Sequence, residues 1–271
     1  MSREKPIGVF DSGFGGLTVL KAVADHLPNE DIVYLGDTAR VPYGTRSART
    51  VGRYAQSCAR FLAAQDIKCL VVACNTVSAV ALDTLSVSLD VPVMGVIQPG
   101  AAAAVSASAA GRIGVVATAG TIASGAYVRA VAACDTRAEV FAQAAPLWVP
   151  LVEEGWIEGP LPRLAVQRYL GPLLAERIDV LLLGCTHYPV LRPAIEQHLV
   201  DSGCAMPVID GGSATARELG QVLQARDLLC ARSRTGKVHV QVTDTARHFE
   251  DLMKRFVGDA FDVGKVSQVD L

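Results

Sequence analysis

Two cysteines occupy matching positions in the sequence, each between an apolar run and small polar residues. Cys74 lies in "VVACNTVSA", and Cys185 lies in "LLLGCTHYP". The apolar runs are typical of buried strands, and the polar residues that follow them are typical of helix starts. Because the partial positive charge at a helix start lowers the pKa of a thiol, both cysteines are candidates for general bases.

The other five cysteines of the chain lack this context. We interpret them as small buried apolar residues, which is the usual role of an isolated cysteine. They are Cys58, Cys69, Cys134, Cys204 and Cys230. An odd total of seven cysteines without a C-x-x-C pair argues against a disulfide framework, so we expect reduced thiols.

Three kinds of chemistry could use the matched cysteines. One cysteine with His187 would suit a thiol hydrolase, although this leaves the second cysteine unexplained. Cys74, Cys185 and His187 could bind zinc, but they lack the closely paired spacing of structural zinc ligands. Two matched thiols suit best the inversion of a carbon centre, in which one removes a proton and the other returns one to the opposite face.

A glycine-rich stretch, "FDSGFGGLTVL", is a second candidate for a site. Its glycines permit a tight turn that brings backbone amides close to a small anion at a helix start. Their spacing matches neither the phosphate-binding loop of nucleotide triphosphatases nor the dinucleotide fingerprint. An ordinary strand-to-helix turn would account for the glycines equally well, and the neighbouring Asp11 and Ser12 favour a site.

Eight short apolar runs, bounded by Gly, Asp, Pro or Thr, predict buried parallel strands. They are "PIGVFDSG", "DIVYLGDT", "KCLVVACNT", "VPVMGVIQP", "RIGVVATAG", "AEVFAQAA", "DVLLLGCTH" and "MPVIDGG". The stretches between them are long enough for crossover helices, for example over residues 46–65, 121–133 and 159–176. This alternation predicts an α/β fold.

The eight runs divide into two sets of four, and in each set a cysteine follows the third run. We therefore predict an internal duplication that gives two similar parallel-sheet lobes related by pseudo-two-fold symmetry. One lobe comprises residues 1–97 and 211–271, and the other comprises residues 98–210. The C-terminal part is predicted to add a helix from about 213 to 226, a strand "KVHVQVTD", a helix around 245–256 and a tail, "FDVGKVSQVDL", that returns to the first lobe.

The loops that follow the carboxyl ends of the predicted strands, the strand-exit loops, indicate where the site lies. Ligands of open α/β sheets bind beyond the carboxyl ends of the strands, and the polar motifs of this sequence collect there. If the two lobes face each other, Cys74 and Cys185 approach one cleft from opposite sides.

The composition excludes several classes of protein. Hydrophobic residues make up 51% of the 271 residues and charged residues 19%, which is typical of a compact globular chain. A net charge of −2 without a basic stripe argues against nucleic-acid binding. The N-terminus lacks the apolar run of a signal peptide, and no apolar run reaches the roughly 18 residues of a membrane span, so we expect a cytoplasmic protein without a membrane partner.

Six motifs in order along the chain resemble those of the cofactor-independent glutamate racemases. They are "GVFDSGFGGLTVL", "YLGDTARVPYG", "VVACNTVSA", "PLVEEG", "LLLGCTHYP" and "VIDGG". The resemblance covers nearly the whole chain and implies conversion of L-glutamate into D-glutamate for peptidoglycan. It also implies an enzyme without pyridoxal phosphate or metal, with a homodimer as the usual form.

The resemblance further implies a role for each matching residue. Cys74 and Cys185 would be the two proton donors and acceptors, with Asp11 assisting Cys74, and His187 and Glu153 assisting Cys185. The ammonium and carboxylates of glutamate would be held by Asp11, Ser12, Tyr43, Gly44, Asn75, Thr76, Thr186 and His187. Backbone amides and short polar side chains would supply the hydrogen bonds that a dicarboxylate needs, without an arginine.

Several of these residues could instead have purely structural roles, and the function has alternatives. Turn formation would account for Tyr43 and Gly44, helix capping for Asn75 and Thr76, and a solvated helix start for Glu153. The chain could also act on aspartate, as some racemases of this group do. A protein that binds an acidic amino acid without catalysis is the alternative from another class.

Overall fold

The computed structural model describes residues 2–245, 249–258 and 266–271, and these form an α/β fold with two parallel sheets. The strands are β1 (Ile7–Asp11), β2 (Ile32–Gly36), β3 (Cys69–Val72), β4 (Val93–Gly95), β5 (Arg112–Ala117), β6 (Glu139–Ala144), β7 (Val180–Gly184), β8 (Val208–Asp210), β9 (Val238–Val242) and β10 (Val266–Gln268). The α/β prediction is confirmed.

The helices mostly lie between consecutive strands, as parallel pairing requires. They are α1 (Leu17–His26), α2 (Ala48–Ala63), α3 (Asn75–Val80), α4 (Leu82–Ser88), α5 (Ile97–Ala107), α6 (Ala119–Ala123), α7 (Ala126–Cys134), α8 (Trp148–Glu153), α9 (Pro160–Ala175), α10 (Arg192–Asp201), α11 (Gly211–Ala225) and α12 (Phe249–Val257). Short 3₁₀ turns cover Thr38–Arg40 and Tyr188–Leu191. No helix among the described residues is long and apolar enough to span a membrane.

The strand orders of the two sheets repeat one plan. The six-stranded sheet has the order β10-β9-β2-β1-β3-β4, and the four-stranded sheet has the order β6-β5-β7-β8, with parallel pairing throughout. Within them, β2-β1-β3-β4 corresponds to β6-β5-β7-β8. Cys74 and Cys185 follow the equivalent strands β3 and β7. The predicted duplication is therefore confirmed at the level of strand order.

The C-terminal part extends the first sheet. The predicted strand around "KVHVQVTD" is β9, which pairs with β2, and β10 pairs in turn with β9. The helix predicted around 245–256 is α12, although residues 246–248 lie outside the described residues, as do residues 259–265, which include the beginning of the predicted tail. The division into lobes at 97 and 211 stays a prediction.

Several local predictions are wrong. Among the five isolated cysteines that were interpreted as buried, Cys134 is exposed and Cys204 is only partly buried. The runs "AEVFAQAA" and "MPVIDGG" form β6 and β8, but neither strand contains a buried residue, because each lies at an edge of the four-stranded sheet and pairs with a strand on one side only. The stretch 121–133 is not one helix, because Gly125 adopts a left-handed conformation with φ of 65° and separates α6 from α7. Glycine reaches this region without the steric cost that a side chain incurs.

Amphipathic spacing explains how the helices pack on the sheets. The buried residues of α2 recur three or four positions apart, which places them on one face: Val51, Ala55, Cys58, Ala59 and Leu62. The Ser47 side chain caps this helix by accepting a hydrogen bond from the Thr50 amide. Strands β1 and β3 are buried along their whole length, so their carboxyl ends are held rigidly.

Candidate active site

A cavity of about 360 Å³ lies where the strand-exit loops of the two sheets meet. It is lined by Ser12, Gly13, Val41, Pro42, Tyr43, Gly44, Thr45, Cys74, Asn75, Thr76, Thr118, Ala119, Pro146, Val149, Pro150, Glu153, Cys185, Thr186 and His187. Of the residues predicted for the site, all except Asp11 contribute to this lining. The cavity has the size expected for a small metabolite.

Cys74 is 6% exposed and lies directly before α3. Its Sγ donates a hydrogen bond to Ser12 Oγ at 3.3 Å. Burial raises the pKa of Cys74 to about 12, the negative charge of Asp11 acts in the same direction, and the bond to Ser12 opposes both. The expected lowering by the helix start is therefore outweighed, because burial disfavours the thiolate more strongly.

Asp11 ends β1 and is fully buried behind the cavity. Its Oδ2 accepts a hydrogen bond from the Gly13 amide at 2.9 Å. Burial raises the pKa of this carboxyl, while the charge of His187 opposes the rise. A Cβ at Gly16 would lie 2.3 Å from the Asp11 Cβ, so only glycine permits the loop to pass so close to this carboxylate.

Cys185, His187 and Glu153 form the opposite wall of the cavity. Cys185 Sγ lies 3.9 Å from His187 Nδ1, and His187 Nε2 lies 3.0 Å from Glu153 Oε1. Burial would lower the pKa of His187, but the hydrogen bonds to Cys185 and Glu153 outweigh it and raise the pKa to about 10. The imidazole is therefore protonated at neutral pH and can exchange a proton with Cys185.

The glycine-rich loop packs against this second wall. A Cβ at Gly15 would lie 2.3 Å from both His187 Nδ1 and Thr186 Oγ1. The Thr18 hydroxyl also donates a hydrogen bond to the Thr186 carbonyl at 3.0 Å. The glycines thus allow a loop of one sheet to touch the catalytic candidates of the other, a contact that the sequence did not predict.

A cluster of threonine hydroxyls lies at another part of the cavity. Thr76 Oγ1 lies 3.1 Å from Thr118 Oγ1 and 3.3 Å from Thr121 Oγ1, and the latter two are 3.0 Å apart. Hydroxyls can orient their protons toward a carboxylate. Sequence reasoning missed Thr118 and Thr121, but the duplication could have found Thr118, because it follows β5 as Ser12 follows its equivalent strand β1.

Tyr43 and Gly44 form a wall of the cavity that belongs to the first half of the chain. The Tyr43 hydroxyl donates a hydrogen bond to the buried Asp37, so its polar end is already bound. The Gly44 carbonyl accepts a hydrogen bond from the Gly120 amide at 3.1 Å, which ties this wall to the start of α6. The Tyr43 side chain is therefore placed to shape the cavity.

No Arg or Lys side chain is among the described residues that line the cavity. The polar side chains of the lining residues instead carry hydroxyl, amide, imidazole, thiol and carboxyl groups. Within the described part of the chain, no group of three or more His, Cys, Asp and Glu side chains is arranged to hold a metal ion.

A family model described as Asp/Glu/Hydantoin racemase matches residues 16–219. The chain belongs to this family. The glutamate racemase of Geobacter metallireducens is 46% identical over 267 residues, which cover 98% of this chain and 97% of that protein.

Solved structures of racemases share the whole fold. The glutamate racemase of Francisella tularensis, in complex with D-glutamate, has a TM-score of 0.90 and 34% identity, covering 99% of this chain and 98% of its own. The glutamate racemase of Thermus thermophilus, in complex with β-chloro-D-alanine, has a TM-score of 0.88 and 41% identity. The match covers 100% of this chain and 99% of that chain.

The two thiols of this racemase differ in their surroundings. Cys74 faces the Ser12 hydroxyl and the nearby charge of Asp11, whereas Cys185 faces an imidazole held by Glu153. The strand order is repeated, but the groups that contact the two thiols are not.

Proposed function

We propose that the chain interconverts L-glutamate and D-glutamate, with Cys74 and Cys185 acting on opposite faces of the α-carbon. The observation that carries this proposal is that both thiols line one cavity, and that equivalent strands of two sheets supply them. Such a pair can remove a proton from one face and return one to the other.

The proposed reaction conserves protons and needs no other reactant. The thiolate of Cys185 takes the α-proton of L-glutamate, the electron pair stays on the α-carbon, and Cys74 donates a proton to the opposite face. The high pKa of Cys74 keeps it protonated for this step. This turnover leaves a Cys185 thiol and a Cys74 thiolate, which is the state that D-glutamate requires for the reverse reaction, and proton exchange with water restores the starting state. His187 and Asp11 are proposed to assist Cys185 and Cys74 respectively.

Substrate recognition is assigned to the polar groups of the cavity. Ser12, Asn75, Thr76 and Thr186, together with backbone amides of the strand-exit loops, would hold the ammonium and carboxylates. Charge-assisted hydrogen bonds to carboxylates are roughly twice as strong as neutral ones, so several donors can replace an arginine. Thr118 joins this set because its hydroxyl contacts that of Thr76.

Solvent deuterium exchange tests the proposal. The protein is incubated in D₂O with L-glutamate, D-glutamate or L-aspartate, and loss of the α-hydrogen signal is followed by NMR. We expect exchange and racemisation with both glutamate enantiomers. Binding of glutamate without exchange would identify a binding protein, and turnover restricted to aspartate would identify an aspartate racemase.

We also propose that activity survives exhaustive chelation and removal of pyridoxal phosphate, because the thiol pair accounts for both proton transfers. Racemisation is measured before and after dialysis against a chelator and a carbonyl reagent. Loss of activity that added metal or pyridoxal phosphate restores would refute this.

We infer a cytoplasmic homodimer that supplies D-glutamate for peptidoglycan, on the strength of the family resemblance. Light scattering on the purified protein measures the oligomeric state.

A further inference from the structure

Tyr127 belongs to the part of the chain that forms the four-stranded sheet, and it contacts Asn75 in the part that forms the six-stranded sheet. It lies in α7, is 3% exposed, and donates a hydrogen bond from its hydroxyl to Asn75 Oδ1 at 2.6 Å. Asn75 is the first residue of α3, follows Cys74 and lines the cavity. Tyr127 itself is not part of the lining.

The fold makes specific room for this tyrosine ring. A Cβ at Gly184 would lie 2.8 Å from Tyr127 Cε2, so the ring rests against the end of β7, one residue before Cys185. Gly100 lies on another side, where an added Cβ would be 3.7 Å from the hydroxyl oxygen. Burial, followed by the charge of Cys185, raises the pKa of Tyr127 and keeps its hydroxyl a donor.

We propose that Tyr127 is a positioning residue that orients the Asn75 amide for substrate binding. With its oxygen held by the tyrosine hydroxyl, the amide must direct its NH₂ group elsewhere, and the cavity is the open side. An amide NH₂ offers two donors to a carboxylate, whereas a rotated amide would present an oxygen that repels it. The inference rests on the proposed function, because it assigns Asn75 to substrate binding.

A double-mutant cycle tests whether Tyr127 acts through Asn75. Tyr127→Phe, Asn75→Ala and the double variant are compared with the parent protein by kcat and KM for both glutamate enantiomers. We expect Tyr127→Phe to raise KM about five- to tenfold for each enantiomer, with kcat within about twofold, since one hydrogen bond is lost. The double variant should have the KM of Asn75→Ala alone, because the tyrosine then has no amide to orient.

Tyr169→Phe is the matched control. It also deletes a hydroxyl from a buried tyrosine of the second half, and its ring packs edge-on against Trp148 with 6.2 Å between centroids, away from the cavity lining. We expect its KM to equal that of the parent. Circular dichroism and thermal unfolding of all variants identify any that are not folded as the parent is.

The outcomes separate the inference from the function on which it rests. If Asn75→Ala raises KM and the double variant raises it by the product of the two single effects, Tyr127 acts independently of Asn75. The positioning role is then wrong, and the role of Asn75 stands. If Asn75→Ala leaves KM unchanged in a protein that racemises glutamate, both assignments are wrong. An increase in KM from Tyr169→Phe as large as that from Tyr127→Phe would also overturn the inference.

Discussion

The two cavity thiols differ in what can supply or accept their protons, and this difference can be tested one residue at a time. Cys74 is hydrogen-bonded to Ser12, whereas Cys185 lies against the His187–Glu153 pair. Serine in place of either cysteine leaves one good base and a hydroxyl that ionises far less readily. We expect Cys74→Ser and Cys185→Ser each to lower racemisation by about a thousandfold or more.

One-sided chemistry should survive in each of these variants. When a glutamate analogue carries a leaving group on its β-carbon, removal of the α-proton alone permits elimination. We expect Cys74→Ser to eliminate from the L-isomer and Cys185→Ser from the D-isomer, as measured by formation of the keto acid that follows elimination. Elimination from the same enantiomer by both variants would contradict the two-base mechanism.

The protonation of His187 predicts how stability depends on pH. The folded protein raises the pKa of His187 from its ordinary 6.5 to about 10, so it holds this proton more tightly than the unfolded chain does. The resulting stabilisation is fully present below about pH 6.5 and is lost as the pH rises through about 10.

His187→Gln removes this contribution. We therefore expect the difference in free energy of unfolding between the parent and His187→Gln to be largest near pH 6 and to shrink toward pH 10. Urea unfolding at several pH values measures it. A difference that stays constant or grows with pH would mean that the histidine is not held protonated.

At the scale of elements, the glycine-rich loop before α1 must approach the other half of the cavity closely. In Gly15→Ala, the new Cβ would overlap His187 Nδ1 and Thr186 Oγ1, each 2.3 Å away. The loop or the imidazole must then shift, and a displacement of about 1 Å in catalytic groups can cost about a hundredfold in rate. We expect kcat to fall by at least about tenfold in steady-state assays.

Gly52→Ala is the matched control for this prediction. Gly52 lies within α2, and an added Cβ there would meet nothing within 4 Å. Alanine favours the helix, so we expect the free energy of unfolding to rise by about 0.5–1 kcal/mol without a change in kcat. Equal activity of Gly15→Ala and Gly52→Ala would show that the close approach is not needed for catalysis.

At the scale of the whole molecule, a buried ion pair joins segments that are distant in sequence. Lys68 is fully buried, pairs with Glu30, and donates hydrogen bonds to the carbonyls of Arg3 and Leu228 at 2.8 and 2.9 Å. Glu30 also accepts a bond from the Cys230 amide at 2.8 Å. Lys68 precedes β3 and lies at the end of the strands opposite to the cavity.

Lys68→Met would leave the Glu30 carboxylate buried without its cation. We expect a loss of about 3–5 kcal/mol in the free energy of unfolding, with kcat of the folded fraction unchanged. Lys5→Met removes a lysine whose partner, Asp66, is 75% exposed, and should cost less than about 1 kcal/mol. Chemical denaturation measures the free energy of unfolding of both variants. Equal losses would show that burial of the Lys68–Glu30 pair does not increase the cost of breaking it.

Local patterns were sufficient to predict much of this protein. Apolar runs punctuated by polar residues predicted the α/β class, and the repeated position of Cys74 and Cys185 predicted the duplicated strand order. These features depend on residues adjacent in sequence, because strand burial and helix amphipathicity are imposed within a few residues. Of the residues predicted for the site, all but the buried Asp11 line the cavity.

Only the tertiary structure decided which groups of the two halves contact each other and how burial changes their pKa values. The bond from Tyr127 to Asn75, the threonine cluster around Thr118 and the close approach of Gly15 to His187 join residues that are distant in sequence. The pKa of Cys74 rises because the packed protein excludes water from the thiol, whereas the sequence alone suggested a decrease. Such effects depend on distances and solvent access, which exist only once both sheets have formed around one cavity.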